Sequence, residues 1–167
     1  MNRVELLCAY YDCSCDSHGL FDDKEIARTE GYLAHLNQYH VISIDVSGFV
    51  SAAKKKQNAI GSVPELIEGK IYEELISLYP ELGAKSSLSD CLIRCVEKTG
   101  RQFVFVIDEW DAPICEAKED SAQTAYLNLL REWFKNNNFT LCRVSDFKSG
   151  GICGIYRFHG GRGKRTL

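Results

Sequence analysis

Five consecutive apolar residues run directly into two acids at Phe103-Val-Phe-Val-Ile-Asp-Glu-Trp-Asp111. The run is too short for a helix of its own and suits a strand buried on both faces, so Asp108 and Glu109 are delivered together to its carboxyl end. This is the form of a Walker B motif, and the order of the residues follows the chemistry. The strand fixes the backbone in a sheet, the first acid helps to hold hydrated Mg²⁺ beside nucleotide phosphates, and the second orients or polarises the attacking water. In that reading Asp108 is the metal ligand and Glu109 the catalytic residue. Trp110 packs rather than reacts, and Asp111 is either a supporting acid or the cap of a helix that begins at Ala112-Pro113. Two other readings stay open on the residues alone: a charged strand end with no ligand, and the carboxylates of a metal-dependent nuclease.

The elements that must position these acids alternate along the chain. Val4, Leu7, Cys8 and Tyr11 recur at helical spacing, so the chain opens inside a helix that runs to about Asp12, and Ile26–Leu36 carries a weaker helical pattern. His40-Val-Ile-Ser-Ile-Asp-Val46 predicts a buried parallel strand carrying Asp45 near its end. Gly48–Gly61 predicts a loop, with Lys54-Lys-Lys56 as a solvated surface or a phosphate contact. Ser62-Val-Pro-Glu65 fits a capping box ahead of a helix whose buried stripe is Val63, Ile67, Ile71, Leu75 and Leu78. A second helix turns Leu88, Cys91, Leu92, Cys95 and Val96 inward and stops at Gly100, where glycine takes a left-handed cap. Ser121 is placed to cap a helix with Tyr126, Leu129, Leu130, Trp133 and Phe134 on its apolar face, and Thr140–Val144 predicts a third strand. The expected architecture is α/β, a parallel sheet with helices on both faces. Ligands gather at the carboxyl ends of such strands, the edge to which Asp45 and Asp108 both point.

Several stretches are familiar as a set: Phe103-Val-Phe-Val-Ile-Asp-Glu-Trp-Asp-Ala-Pro-Ile114, Tyr126-Leu-Asn-Leu-Leu-Arg131 with Phe134-Lys135, and Ala9-Tyr-Tyr-Asp12 with Ser14-Cys-Asp-Ser17 and Leu20-Phe21. Together with His35–Asp45 they resemble the predicted AAA-ATPase-like family of bacterial and archaeal P-loop proteins, over roughly residues 5 to 140. The resemblance implies a P-loop NTPase fold, with ATP and Mg²⁺ as ligands.

The family places an Arg-Arg-Phe-Gly-Lys-Ser/Thr phosphate loop, with its strand, just before the helix that here starts near Arg3. No Gly-x-x-x-x-Gly-Lys-Ser/Thr occurs in the 167 residues: Gly69-Lys70 is followed by Ile71, and Gly163-Lys164 by Arg165. A phosphate loop wraps backbone amides and a lysine around the phosphates, which an acidic strand cannot replace. The fold is therefore expected to be incomplete, with the phosphate-loop strand absent. Residues 1–140 read as a partial AAA-ATPase-like domain, and residues 141–167 as a divergent basic tail ending in Gly160-Gly-Arg-Gly-Lys-Arg165. That tail could bind nucleic acid or phosphate by charge, or be a flexible end.

Composition narrows the remaining classes. With 26% charged and 45% hydrophobic residues, the 167-residue chain has the content of one globular domain. It contains no apolar run of about 18 residues and no apolar core of a secretory signal at its start, so membrane spanning and export are not expected and the cytoplasm is. A net charge of −3 argues against a surface dedicated to nucleic acid. From Leu141 onward six basic residues face one acid, a net of +5 that leaves −8 for the first 140. Eight cysteines in a reducing compartment read as free thiols, Cys91 and Cys95 as small core residues. Cys13-Ser-Cys15 with His18 hints at a metal but lacks a second ligand pair, and reads as loop thiols.

Two functions follow. In the first the chain is a partial ATPase domain, inactive until a phosphate-loop strand is supplied in cis or by a partner chain. In the second it is a non-catalytic interaction module on an ATPase-like scaffold. Either way the third strand is expected to leave an uncovered sheet edge and to favour self-association.

Overall fold

The computed structural model describes residues 2–55, 60–83, 87–117, 120–135, 139–144 and 155–156. Helix α1 (Arg3–Tyr11) is followed by a single turn α2 (His18–Phe21), a 3-10 turn (Glu25–Arg28) and another single turn α3 (Tyr32–His35). Strand β1 (His40–Asp45) leads into α4 (Val46–Lys55), α5 (Val63–Leu78) and α6 (Leu88–Thr99), and β2 (Phe103–Asp108) into α7 (Ala112–Glu116) and α8 (Asp120–Lys135). Strands β3 (Phe139–Val144) and β4 (Ile155–Tyr156) complete the described chain. The sheet order is β1-β2-β3-β4, the first three parallel and β4 antiparallel. It is a helix-rich α/β fold on a parallel sheet, and no helix among the described residues is long and apolar enough to cross a membrane.

The period of two along β2 divides the core. Phe103, Phe105 and Ile107 pack with Ile44 against α4, α5, α6 and α8, and the Phe105 and Trp133 rings lie 5.3 Å apart. Val104 and Val106 face the other way, onto Tyr10, Tyr11, Phe21, Tyr32 and Leu36. All five apolar residues of β2 are buried, so the strand needs apolar side chains on both faces. Each such burial stabilises the fold by about 1.5–3 kcal/mol.

Local signals succeed where they stand alone and fail where neighbours compete. Gly100 takes φ 70° and closes α6 as expected. The loop expected over Gly48–Gly61 is instead helix α4 through Lys55, because Val46, Val50 and Ala53 repeat on its buried face. Ser62 belongs to a 3-10 turn (Ile60–Ser62) and makes no side-chain cap, so the capping box expected there does not form. A capping box does form at Ser87 with Asp90, ahead of α6. Ser121 lies inside α8, which already starts at Asp120. Leu78, expected in the buried stripe of α5, is 74% exposed at the last turn, and Tyr79 packs in its place. At the far edge β4 pairs with Leu141 and Cys142 of β3, which overturns the expectation that nothing covers it. Lys56, the loop at residues 84–86 and the basic residues Lys148, Arg157, Arg162, Lys164 and Arg165 lie outside the described residues.

Candidate functional site

Asp45 and Asp108 close neighbouring parallel strands and are partners in register. Adjacent strands run about 4.8 Å apart, and residues two apart share a face, so Asp45 follows Ser43 and Asp108 follows Val106 on the side of the sheet that carries α1. Both residues therefore end at the carboxyl edge, as the sequence predicts. Asp108 is half-buried and Asp45 exposed.

The direction of α1 adds a third feature. Asp12 bridges Tyr39 at one end of β1, and Cys8 lies beside Ser43 further along it. Helix residues therefore decrease as strand residues increase, and α1 runs antiparallel to the sheet. From Cys8 back to Arg3 the helix advances about 7.5 Å, and from Ser43 to Asp45 the strand advances about 6.6 Å. The amino terminus of α1, with its positive dipole end, is thereby level with the two acids. Asn2 and Glu5 cap that terminus reciprocally: the Glu5 amide donates to Asn2 Oδ1 at 2.8 Å and the Asn2 amide to Glu5 Oε2 at 2.8 Å.

Beyond Asp108 the chain turns sharply. Glu109 has φ 50°, a left-handed conformation uncommon for a residue with a long side chain. Its amide donates to Asp108 Oδ1 at 3.1 Å, and its carbonyl accepts from the Ala112 amide at 3.0 Å. The turn leaves Glu109 exposed at the edge while Trp110 packs against the larger core, in line with its expected role. Asp111 stands at the N-cap of α7 without a side-chain cap bond, and its carbonyl accepts from the Ile114 and Cys115 amides at 2.9 Å. Pro113 occupies the first turn, where its missing amide hydrogen costs nothing.

Asp45 has a structural partner as well. Its Oδ1 accepts from Ser47 Oγ at 2.7 Å and from the Gly48 amide at 3.3 Å, which anchors the start of α4. A Cβ on Gly48 would lie 3.3 Å from Asp45 Oδ2, so glycine permits this close seating of the carboxylate on the helix. Lys54 pairs with Glu116 between α4 and α7, and is thereby engaged in an ion pair.

Two adjacent carboxylates suit Mg²⁺, which takes one or two and fills its octahedron with phosphate oxygens and water. No group of three His, Cys, Asp or Glu side chains that could hold a metal occurs among the described residues. Cys13, Cys15 and His18 are drawn apart: Cys13 meets His40, Cys15 meets Ser17, and His18 meets Asp22. Cys91 and Cys95 are fully buried core residues, as their spacing predicts. Sequence reasoning missed the direction of α1 and the left-handed turn at Glu109. The second had a weak signal, the change from a β-branched run to Glu-Trp-Asp ahead of Ala-Pro.

A family model described as Predicted AAA-ATPase matches residues 3–158. The match reaches further than the residues 5 to 140 on which the resemblance rests. No curated protein and no solved structure matches the chain.

Proposed function

The chain belongs to the AAA-ATPase-like family, and on that premise we propose that the carboxyl edge of its sheet is the metal and water-positioning half of a Mg²⁺-ATP site on a P-loop NTPase fold. The observation that carries this reading is the convergence of Asp45, Asp108 and the amino terminus of α1 on one edge. Bound Mg²⁺ would neutralise phosphate charge as the terminal phosphoryl group leaves. Asp108, fixed by the strand, would hold the metal or its water. Glu109, swung clear of the strand by its left-handed turn, accepts a hydrogen bond from the attacking water and orients it. The terminus of α1 faces the phosphates with its dipole. The phosphate loop comes from residues other than these 167, either ahead of Met1 in a longer protein or on a second chain.

The test is to fuse a phosphate loop and its strand ahead of Met1 and measure nucleotide binding and hydrolysis. Hydrolysis should depend on Mg²⁺. Asp108→Asn should weaken Mg²⁺-dependent binding, whereas Glu109→Gln should leave binding intact and slow turnover about 10²-fold or more. Equal and mild effects of the two substitutions would reduce the pair to a charged strand end. Saturable low-micromolar ATP binding by the 167-residue chain alone would contradict the assignment of phosphate binding to residues outside it.

A further inference from the structure

At the amino edge of the sheet, opposite the acids, a second reactive cluster is assembled from residues far apart in sequence. The Asp12–Tyr39 bridge and the Cys13 amide, which donates to the Tyr39 carbonyl at 2.8 Å, set Cys13 beside His40. Cys13 Sγ lies 3.6 Å from His40 Nδ1, and His40 Nε2 lies 3.0 Å from Thr99 Oγ1 at the end of α6. The imidazole is held between aromatic rings, 5.2 Å from Phe103 and 6.3 Å from Tyr79.

Hydrogen bonding decides the tautomer. Thr99 Oγ1 has one hydrogen and donates it to the Cys95 carbonyl at 2.7 Å, while the Arg101 amide donates into the same oxygen at 3.2 Å. The proton between His40 and Thr99 therefore sits on Nε2, and Nδ1 presents its lone pair to the Cys13 thiol. Burial lowers the basicity of His40, Arg101 lowers it further, and Asp12 opposes both, which favours the neutral ring that can accept a proton. A thiol, a base and a hydroxyl that orients the base are the parts of an activated nucleophile.

Acyl transfer would also need amides free to hold an oxyanion. Both nearby ones are committed, the Cys13 amide to Tyr39 and the Ser14 amide to Asp12 Oδ1 at 2.8 Å. Attack on a peroxide needs no such hole. We propose that Cys13 is a modification site, a thiol activated by His40 and Thr99 that hydrogen peroxide oxidises to the sulfenic acid. His40 Nδ1 takes the thiol proton, and Sγ attacks one peroxide oxygen. The S–O bond forms as the O–O bond breaks, and the departing hydroxide takes the proton from His40 to leave as water. Sulfur is oxidised by two electrons and the peroxide is reduced by two.

Exposure alone ranks the thiols differently. Cys15 and Cys115 are exposed whereas Cys13 is only half-buried. Cys15 Sγ lies 3.4 Å from the Asp12 carbonyl and Cys115 Sγ 4.0 Å from the Asp111 carboxylate, both poor surroundings for a thiolate. The 167-residue chain is treated with near-stoichiometric hydrogen peroxide and a sulfenic-acid trap, and each cysteine is followed by peptide mass spectrometry. Cys13 should be trapped ahead of Cys15 and Cys115. His40→Gln should slow it about tenfold or more, Thr99→Val less, and Thr99→Ser should keep the rate. Earlier trapping of Cys15 or Cys115 in the unaltered chain overturns the proposal, as does an unchanged Cys13 rate in folded His40→Gln. If that variant does not fold, an unchanged rate in Thr99→Val overturns it. The outcome is independent of the acids at the other edge.

Discussion

Among the described residues two positions other than glycine hold a left-handed backbone, and they stand at opposite ends of the sheet: Asn37 with φ 55° before β1, and Glu109 with φ 50° after β2. Asn37 is repaid by hydrogen bonds. Its Nδ2 donates to the Ala9 carbonyl at 3.0 Å and the Asp12 carbonyl at 2.7 Å, its Oδ1 accepts from the Ser17 amide at 3.0 Å, and its own amide donates to the Tyr10 carbonyl at 2.7 Å. It satisfies carbonyls that the end of α1 leaves open, and asparagine is among the residue types that tolerate this conformation. Glu109 has neither advantage of residue type nor burial. It follows Asp108 directly and stands exposed at the carboxyl edge of the sheet. The first left-handed residue is tied into the fold by its own side chain, whereas the second stands exposed directly after Asp108, where the proposed site would use it.

The largest effect that would break this contrast is at Asn37. Asn37→Ala should cost about 3 kcal/mol in denaturant unfolding, since it removes several half-buried hydrogen bonds at once and leaves their partners unmet. A loss under about 1 kcal/mol would show that the bonds do not hold the turn. At the other end, Glu109→Gly should leave stability unchanged or raise it by up to about 1 kcal/mol, because glycine takes a positive φ without a steric penalty. A clear loss of stability there would mean that the glutamate is structural like Asn37. The smallest expected effect comes from His40. Its basicity is lowered in the folded chain from the ordinary 6.5, so at lower pH the unfolded chain takes up a proton that the folded chain resists. This contribution to stability is complete above pH 6.5 and is lost as pH falls below it. The melting temperature should drop between about pH 7.5 and pH 5.5, and drop less in His40→Gln. An equal drop in both would assign the pH dependence to other groups.

Much of the sheet is legible in the order of the residues. Phe103–Ile107 is apolar at every position, which only a strand covered on both faces requires, and α5, α6 and the Gly100 cap follow from period and residue type. The strand at His40–Asp45 forms as well, but it ends the sheet order and only Ile44 is buried, so the expectation of a buried strand fails there. The acids at the strand ends are legible for the same reason, since a parallel strand must deliver its last side chains to one edge. Misreadings arise where a local signal has a competitor. Gly48 reads as a breaker, yet it permits the seating of Asp45 at the start of α4, and the buried face of that helix outweighs its cost. Ser62 and Glu65 have capping spacing, yet a preceding 3-10 turn sets the backbone differently.

By itself the sequence determined that the stretches of β1, β2 and β3 are strands, most of the apolar faces of α5, α6 and α8, and that Asp108 and Glu109 end a buried strand. Those properties depend on side chains within a few residues of one another, where periodicity and steric preference act directly. Only the tertiary structure decided that Asp45 lies in register with Asp108, that α1 runs back toward them, that β4 meets the edge of β3, and that Cys13, His40 and Thr99 meet. His40 is 27 residues from Cys13 and 59 from Thr99, and no local preference encodes a contact across that distance. It arises when hydrophobic burial docks α1 and α6 on opposite faces of one sheet, a choice made by the whole core at once.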